Sequence, residues 1–302
     1  MGWLLALGGA AFLAVLVGVV GYTGWCMGAL PAGNPAEVLA EGPPPADHPV
    51  LVCLGDSITQ GVLGADWVGG LRERLGDDAL VVNAGVGGQL TWDLRQRLDE
   101  VGRCCPHAIV LLVGSNDAVG SLGGQWASFY EKGRPQAPSE DWFAEQYGAL
   151  VAELVAMAPR LVCLTLPPLG EDASGQAAAI VRRQNEAIRA TAATHDIDVL
   201  DIHPAFLRLR PEAPRGSGVP FLGGLSPFMA WSTASILRHR LLGQSWDRIA
   251  RSRGLVLTAD TIHPSDRGAD AMLALVEPWA RGALGLTASP GRHEPPLNTE
   301  QT

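Results

Sequence analysis

Five short runs of nearly unbroken apolar residues constrain the fold of this chain more than any other feature of its sequence. The runs are Pro49–Leu54, Ala79–Ala84, Ala108–Val113, Leu161–Leu166 and Ile197–Ile202. Their residues do not alternate with polar ones, which is typical of parallel strands buried on both faces of a sheet. Segments with helical patterns separate them, at Trp67–Leu75, Thr91–Val101, Asp141–Met157 and Gln176–His195. The alternation predicts an α/β fold with three layers, α/β/α, around a five-stranded parallel sheet.

Polar residues that follow the apolar runs are candidates for a site, because parallel sheets bind ligands beyond the carboxyl ends of their strands. Three such segments follow the first three runs, at Gly55–Gly61, Asn83–Gly88 and Gly114–Asp117. A fourth polar motif, Asp260–Pro264, lies near the end of the domain. Each motif alone is weak evidence of an active site, since these residue types are common in turns and helix caps. Their joint placement at one edge of the predicted sheet favours an active site.

The motifs contain the residue types needed for catalysis by a serine nucleophile. The hydroxyl of Ser57 is a poor nucleophile unless a base removes its proton, and histidine is the usual base near neutral pH. Asp260 and His263 are three residues apart in a predicted turn, so the carboxylate can orient the imidazole. Glycine amides and an amide side chain can donate hydrogen bonds to a developing oxyanion.

The four motifs, in this order, resemble the blocks of the SGNH hydrolases, also called the GDSL esterase/lipase superfamily. The resemblance covers residues 49–283, which we take as the hydrolase domain, and implies a flavodoxin-like fold and ester hydrolysis. It implies that Ser57 is the nucleophile, with Asp260 and His263 completing a catalytic triad. The G-x-S-x-G motif of other lipases, which the family lacks, is absent from this sequence.

The same resemblance implies an oxyanion hole with three donors. One is the side-chain amide of Asn116, which matches the asparagine of the family's Gly-x-Asn-Asp block. The others are the backbone amides of Ser57 and Gly88, the latter placed by an Asn-x-x-x-x-Gly block. Gly85 and Gly87 leave other registers open for that glycine.

A second carboxylate–histidine pair, Asp201 and His203, closes the fifth apolar run. Residues two apart at a strand end face the same side, so this pair is an alternative base. Its position also fits a structural loop, and we rank it behind the pair in the Asp260–Pro264 motif. Asp56 and Asp117 are expected to organise loops through local hydrogen bonds.

Composition excludes several classes of partner. The chain has 22 basic and 31 acidic residues, a net charge of −9, and its basic residues form no run that would favour nucleic acid. The single lysine, Lys132, follows Glu131 instead of a glycine-rich turn, which excludes a Walker A loop. No H-E-x-x-H or C-x-x-C pattern is present, so the sequence predicts no metal and no other cofactor.

The N-terminal sequence predicts a membrane segment over residues 1–26. The 20 residues Trp3–Tyr22 carry no charge, and as a helix they would span about 30 Å, which matches a bilayer core. A cleaved signal peptide is the alternative, but no basic residue precedes the run and no A-x-A site follows it. The first basic side chain after the run is Arg72, so the N-terminal amine favours an extracytoplasmic catalytic domain. Residues 27–48 are expected to form a Pro-rich linker, and residues 284–302 a disordered tail.

Three functions remain open at this point. A membrane-tethered serine esterase comes first, acting on an acyl or acetyl ester of a lipid or carbohydrate. Acyl transfer to a cell-envelope glycan with the same triad and a non-catalytic binding domain are the alternatives. Segments Ala118–Glu140 and 205–256 lie beside the predicted site. They are expected to pack on the core, or to form a pocket wall or lid, or a surface for anionic headgroups.

Overall fold

The computed structural model describes residues 17–40, 42–210 and 218–287. Within them, five parallel strands form one sheet in the order β2-β1-β3-β4-β5. The strands are β1 (Val50–Gly55), β2 (Leu80–Gly85), β3 (Ala108–Leu112), β4 (Arg160–Leu164) and β5 (Asp198–Leu200). The predicted α/β fold with a five-stranded parallel sheet is confirmed.

The burial of the strands explains why their sequences are apolar. Every residue of β1 and β3, the central strands, is buried. The edge strand β5 is only partly buried and is shorter than the apolar run that predicted it. It ends before Asp201, whose carboxylate accepts hydrogen bonds from Thr165 and Arg189, and a helix begins at Ile202.

Helices cover both faces of the sheet. They are α1 (described over residues 17–28), α2 (Pro35–Ala40), α3 (Ser57–Gln60), α4 (Trp67–Leu75), α5 (Thr91–Arg95), α6 (Leu98–Arg103), α7 (Ser115–Gly120), α8 (Gly124–Glu131), α9 (Glu140–Met157), α10 (Gln176–Thr194), α11 (Ile202–Arg208), α12 (Leu225–Leu242), α13 (Trp246–Arg251) and α14 (Asp266–Ala283). Helix α14 packs against α4 and α11, and α9 packs against α5 and α10. These two groups form the outer layers, as right-handed crossovers between parallel strands require.

The segment between the apolar N-terminal run and β1 differs from the predicted linker. Residues 27–40 contact the domain instead of forming a loose spacer. The side-chain amide of Gln60 donates to the carbonyls of Met27 and Ala29, at 3.1 and 2.7 Å. Asn34 caps α2, and Pro35 is the first residue of that helix. A capping asparagine followed by proline favours the start of a helix, although this segment is rich in proline. The linker is therefore corrected to a segment docked on the domain.

Two other predicted segments lie largely outside the described residues. No helix in the described part of the chain combines the length and apolar character needed to cross a bilayer. Most of Trp3–Tyr22 precedes residue 17, where the description begins. At the other end, α14 ends at Ala283 and residues 288–302 of the predicted tail fall outside the described ranges.

Candidate active site

Ser57 follows the carboxyl end of the inner strand β1 and is the first residue of α3. Asp56 caps this helix, because its carboxylate accepts a hydrogen bond from the backbone N–H of Ile58 at 2.9 Å. The residue before Asp56 must be a glycine, since a Cβ on Gly55 would collide with the carbonyl of Leu112 on β3. The local sequence thus places the hydroxyl of Ser57 at the edge of the sheet while the residue stays buried.

A continuous chain of hydrogen bonds joins Ser57 to His263 and Asp260. The Oγ of Ser57 lies 2.8 Å from Nε2 of His263. The Nδ1 atom of the same imidazole lies 2.8 and 3.0 Å from the two carboxylate oxygens of Asp260. All three side chains are buried, so bulk water does not compete for these bonds. The structure brings together the three residues that the sequence predicted as a triad.

The turn that carries Asp260 and His263 is held by its own backbone. One carboxylate oxygen of Asp260 accepts from the N–H groups of Ile262 and His263, at 3.2 and 2.9 Å. Burial alone would raise the pKa of Asp260, but the imidazole and these two N–H groups hold it below its usual value. Thr261 adopts φ +77°, a conformation disfavoured for a β-branched residue. The carboxylate therefore stays ionised and aimed at His263.

Helix α12 supplies a contact to the triad that the sequence did not indicate. The hydroxyl of Ser232 donates to Oδ2 of Asp260 at 3.1 Å. Ser232 is fully buried in the middle of a helix whose residue pattern carries no catalytic signature. The long segment before the Asp260–Pro264 motif thus contacts the triad through the carboxylate of Asp260.

The side-chain amide of Asn116 is fixed at both of its ends. It lies in the first turn of α7, directly after β3. Its Nδ2 donates to the carbonyl of Gln89 at 2.8 Å, and its Oδ1 accepts from the hydroxyl of Tyr130 at 2.6 Å. An amide nitrogen has two hydrogens, so one N–H remains for a ligand. Sequence reasoning found Asn116 but not Tyr130.

The glycines after β2 differ in their access to the site. Gly87 and Gly88 line the same pocket as Ser57 and Asn116. Gly85 does not, since a Cβ there would meet the backbone of α3. Gly88 has φ +75°, which glycine adopts without strain. The pocket leaves Gly87 and Gly88 as the glycines within reach of a bound ester.

The alternative pair, Asp201 and His203, is not assembled as an acid–base unit. Both carboxylate oxygens of Asp201 bind the guanidinium of Arg189. The Nδ1 of His203 lies 3.0 Å from the carbonyl of Leu166, and burial lowers the pKa of this histidine. Neither residue lines the pocket that holds Ser57.

Two other buried carboxyl groups lie beside the site. Burial raises the pKa of Asp56 to about 6 and that of Asp117 to about 7. Asp117 accepts hydrogen bonds from the backbone N–H and the hydroxyl of Thr91, at 3.0 and 3.1 Å. These contacts tie the loop after β2 to α7. Among the described residues, no group of three or more His, Cys, Asp or Glu side chains could hold a metal ion.

The triad opens into an apolar pocket of about 210 Å³. Ser57, His263, Asn116 and Gln60 are among its polar lining residues. The rest of its wall is mostly aliphatic and aromatic: Met27, Leu63, Trp126, Phe129, Tyr130, Leu225, Phe228, Met229 and Ile262. These residues come from α1, α8, α12 and two loops. The segment Ala118–Glu140 and helix α12 therefore contribute to a pocket wall, which is one of the roles expected for them from the sequence.

The fold and the site fit a hydrolase with a serine nucleophile: a parallel α/β sheet with a serine, a histidine and an aspartate joined beyond its carboxyl edge. The model of the GDSL-like lipase/acylhydrolase family matches residues 53–271. The chain therefore belongs to that family, and it is an enzyme acting on ester bonds. No curated protein matches the sequence.

Solved structures share this fold at low sequence identity. A GDSL-like lipase from Bacteroides thetaiotaomicron is 17% identical, with a TM-score of 0.53 over 82% of this chain and 96% of that one. A lipase/acylhydrolase from Enterococcus faecalis is 21% identical, with a TM-score of 0.51 over 80% and 100%. A variant of an acetylxylan esterase from Geobacillus stearothermophilus is 17% identical, with a TM-score of 0.54 over 81% and 97%. At these identities, the likeness shows the fold alone.

Proposed function

We propose that this protein is a serine esterase that cleaves a carboxylic ester through an acyl-enzyme on Ser57. The observation that carries the proposal is the buried chain of hydrogen bonds from Ser57 through His263 to Asp260. Such a chain lets the imidazole take the serine proton while the carboxylate stabilises the imidazolium that forms.

The reaction has two steps in this proposal. The Oγ of Ser57 attacks the ester carbonyl as Nε2 of His263 accepts its proton, and the imidazolium then protonates the leaving alcohol. The backbone amides of Ser57 and Gly88 and the free N–H of Asn116 stabilise the oxyanion. In the second step, His263 activates a water molecule, which releases the acid and restores the serine.

The substrate proposed is an acyl or acetyl ester of a lipid or carbohydrate. The apolar wall of the 210 Å³ pocket begins directly beside Ser57 and fits the hydrocarbon part of an acyl group. Most of the lining residues are apolar, so an acyl chain bound there would contact Phe228, Trp126 and their apolar neighbours.

Labelling with a fluorophosphonate probe tests the nucleophile. The full-length protein should be labelled on Ser57, and the Ser57→Ala variant should lose both labelling and hydrolysis of p-nitrophenyl acetate. Ser121→Ala is a matched control, since Ser121 caps the end of α7 and its hydroxyl donates to the backbone carbonyl of Asp117, outside the triad. Labelling that persists in Ser57→Ala would overturn the assignment.

We also propose that residues 1–26 anchor the protein in a membrane, with the catalytic domain on the extracytoplasmic side. The uncharged run Trp3–Tyr22 supports this proposal. The full-length protein should fractionate with membranes, resist extraction by high salt, and be cleaved by protease added to the extracytoplasmic side. Recovery of a shortened, soluble chain from the native host would favour a cleaved signal peptide instead.

A further inference from the structure

Most of the exposed apolar side chains lie on the same elements that line the active-site pocket. Ten large hydrophobic side chains are exposed among the described residues. Eight of them lie on residues 17–30, on α8 and on α12, which also supply Met27, Phe129 and Met229 to the pocket wall. We call these eight the apolar rim: Val17, Val20, Trp25, Leu30, Phe129, Met229, Leu241 and Leu242. An exposed apolar patch of this kind marks an interaction surface.

Helix α1 is fixed to the pocket. Cys26 is buried in a cluster with Val62, Leu63 and Ile236, so α1 packs against both the loop after α3 and helix α12. Gln60, which follows the nucleophile by three residues, binds the last turn of α1 and the residue beyond it through the carbonyls of Met27 and Ala29. These contacts fix the orientation of α1 relative to the pocket.

The charge of the rim differs from that of the whole protein. The chain has a net charge of −9 with 31 acidic residues. Residues 17–36 contain no acidic side chain, and neither do residues 218–246, which include all of α12. The charged residues of α12 are Arg238 and Arg240, and Arg240 is exposed near Leu241 and Leu242. Glu131, at the end of α8, is the exposed carboxylate near Phe129. The α1 and α12 parts of the rim combine apolar side chains with arginine and have no carboxylate, which makes them complementary to a lipid bilayer with anionic headgroups.

The uncharged sequence that leads into α1 favours a bilayer as the occupant of this surface. Residues 17–22 belong both to α1 and to the uncharged run Trp3–Tyr22. Tyr22 and Trp25 lie near the end of that run with their rings 6.3 Å apart, as residues of an interfacial aromatic belt would. Met27 of the pocket wall is five residues beyond Tyr22, about 7.5 Å along a helix. That distance is comparable to the thickness of one headgroup layer, about 5–8 Å.

We infer that the apolar rim is a membrane-docking surface that places the mouth of the pocket in the headgroup layer, so that the substrate is an acyl ester carried by a lipid of the bilayer. This inference rests on the proposed esterase function and names its substrate class. The reaction consumes one water molecule, breaks the acyl C–O bond, and leaves a fatty acid and the hydroxyl-bearing remainder of the lipid.

Activity against two substrates tests the inference. The full chain is reconstituted in vesicles of phosphatidylcholine and phosphatidylglycerol, and hydrolysis of a lipid ester with a pyrene-labelled acyl chain is compared with that of p-nitrophenyl acetate. The double variant Leu241→Ser/Leu242→Ser should lose roughly tenfold or more on the vesicle-borne ester, since partial burial of two leucines in lipid is lost. It should stay within about twofold of wild type on p-nitrophenyl acetate. The control Val155→Ser/Leu207→Ser changes two exposed apolar residues outside the rim and should alter neither rate.

A second readout does not depend on activity. Lipids brominated near the headgroup should quench part of the tryptophan emission, and that part should shrink in Trp25→Phe but not in Trp92→Phe. Three outcomes would each overturn the docking inference. The Leu241→Ser/Leu242→Ser variant could lose the same fraction of its rate on both substrates, or it could hydrolyse the vesicle-borne ester as fast as wild type. The third outcome is that Trp25→Phe is quenched by the brominated lipids as strongly as wild type. Failure of the wild type on both esters would instead contradict the esterase function, and the quenching would still report on docking.

Discussion

Tyr130 offers a sharp test of the proposed oxyanion hole, because it holds the amide of Asn116 without belonging to the triad. Its hydroxyl donates to Oδ1 of Asn116 at 2.6 Å, while Nδ2 donates to Gln89. Burial raises the pKa of Tyr130 well above its usual value, so the hydroxyl keeps its proton and remains a donor. We predict that Tyr130→Phe lowers kcat by releasing one end of this amide.

The magnitude follows from what the substitution removes. A buried acceptor left unpaired costs about 1–3 kcal/mol, and each 1.4 kcal/mol in the barrier is about tenfold in rate. Loss of an oxyanion donor itself costs about 10²–10³ in kcat. Because Tyr130→Phe leaves the N–H of Asn116 in place but less well directed, we expect kcat to fall roughly tenfold, against about 10²–10³ for Asn116→Ala.

Steady-state kinetics on p-nitrophenyl acetate measure the effect. KM should change by less than about twofold, since the donor acts on the transition state. Tyr147→Phe is the matched control, a buried tyrosine on α9 outside the pocket. The double variant Asn116→Ala/Tyr130→Phe should be no slower than Asn116→Ala alone. Additive losses in the double variant, or full activity in Tyr130→Phe, would refute the reasoning.

Three further predictions concern the groups around the triad. His263→Ala should lower kcat by about 10³-fold or more, while His203→Ala should retain most activity; the reverse ranking would move the base to the fifth strand. Ser232→Ala should lower kcat roughly two- to tenfold, since Asp260 loses one donor; an unchanged kcat would contradict that role. Burial raises the pKa of Asp117 to about 7 from 3.8, so the native state keeps a proton that the unfolded chain releases. Release of the Asp117 proton should therefore cost wild type up to roughly 4 kcal/mol of stability as the pH rises from about 4 to 7, and Asp56, with its pKa raised to about 6, should add to the loss. In denaturant unfolding, Asp117→Asn should lose less stability than wild type over this range, and only the part due to Asp56 should remain; equal losses in the two proteins would contradict the reasoning.

The sheet and the polar residues at its edge could be predicted because both depend on local sequence. Buried parallel strands must be apolar throughout, and β1 and β3 are. The residues after a strand fall at one edge by geometry, so Ser57 and Asn116 could be placed near each other without knowledge of the packing. The turn from Asp260 to His263 is equally local, since its backbone N–H groups bind its own carboxylate.

The remaining features depend on contacts between distant parts of the chain. Ser232 reaches Asp260 only because α12 packs beside the triad, and a serine in the middle of a helix carries no signal of that role. Gln60 binds α1 across about thirty residues of sequence, which turns a segment with a linker's composition into part of the pocket wall. The ion pair between Asp201, just after β5, and Arg189 on α10 likewise joins residues that the apolar pattern of the run does not reveal.

The proposed reaction depends on an acyl-enzyme intermediate, which can be observed directly. The full-length protein is mixed with a slow ester substrate, quenched in acid during turnover and digested, and the peptides are weighed by mass spectrometry. We predict that the peptide containing Ser57 gains the mass of the acyl group. This adduct should form before the carboxylic acid product accumulates and disappear when the substrate is exhausted. Turnover without an adduct on Ser57, or an adduct on another residue that forms and decays at the rate of turnover, would contradict it.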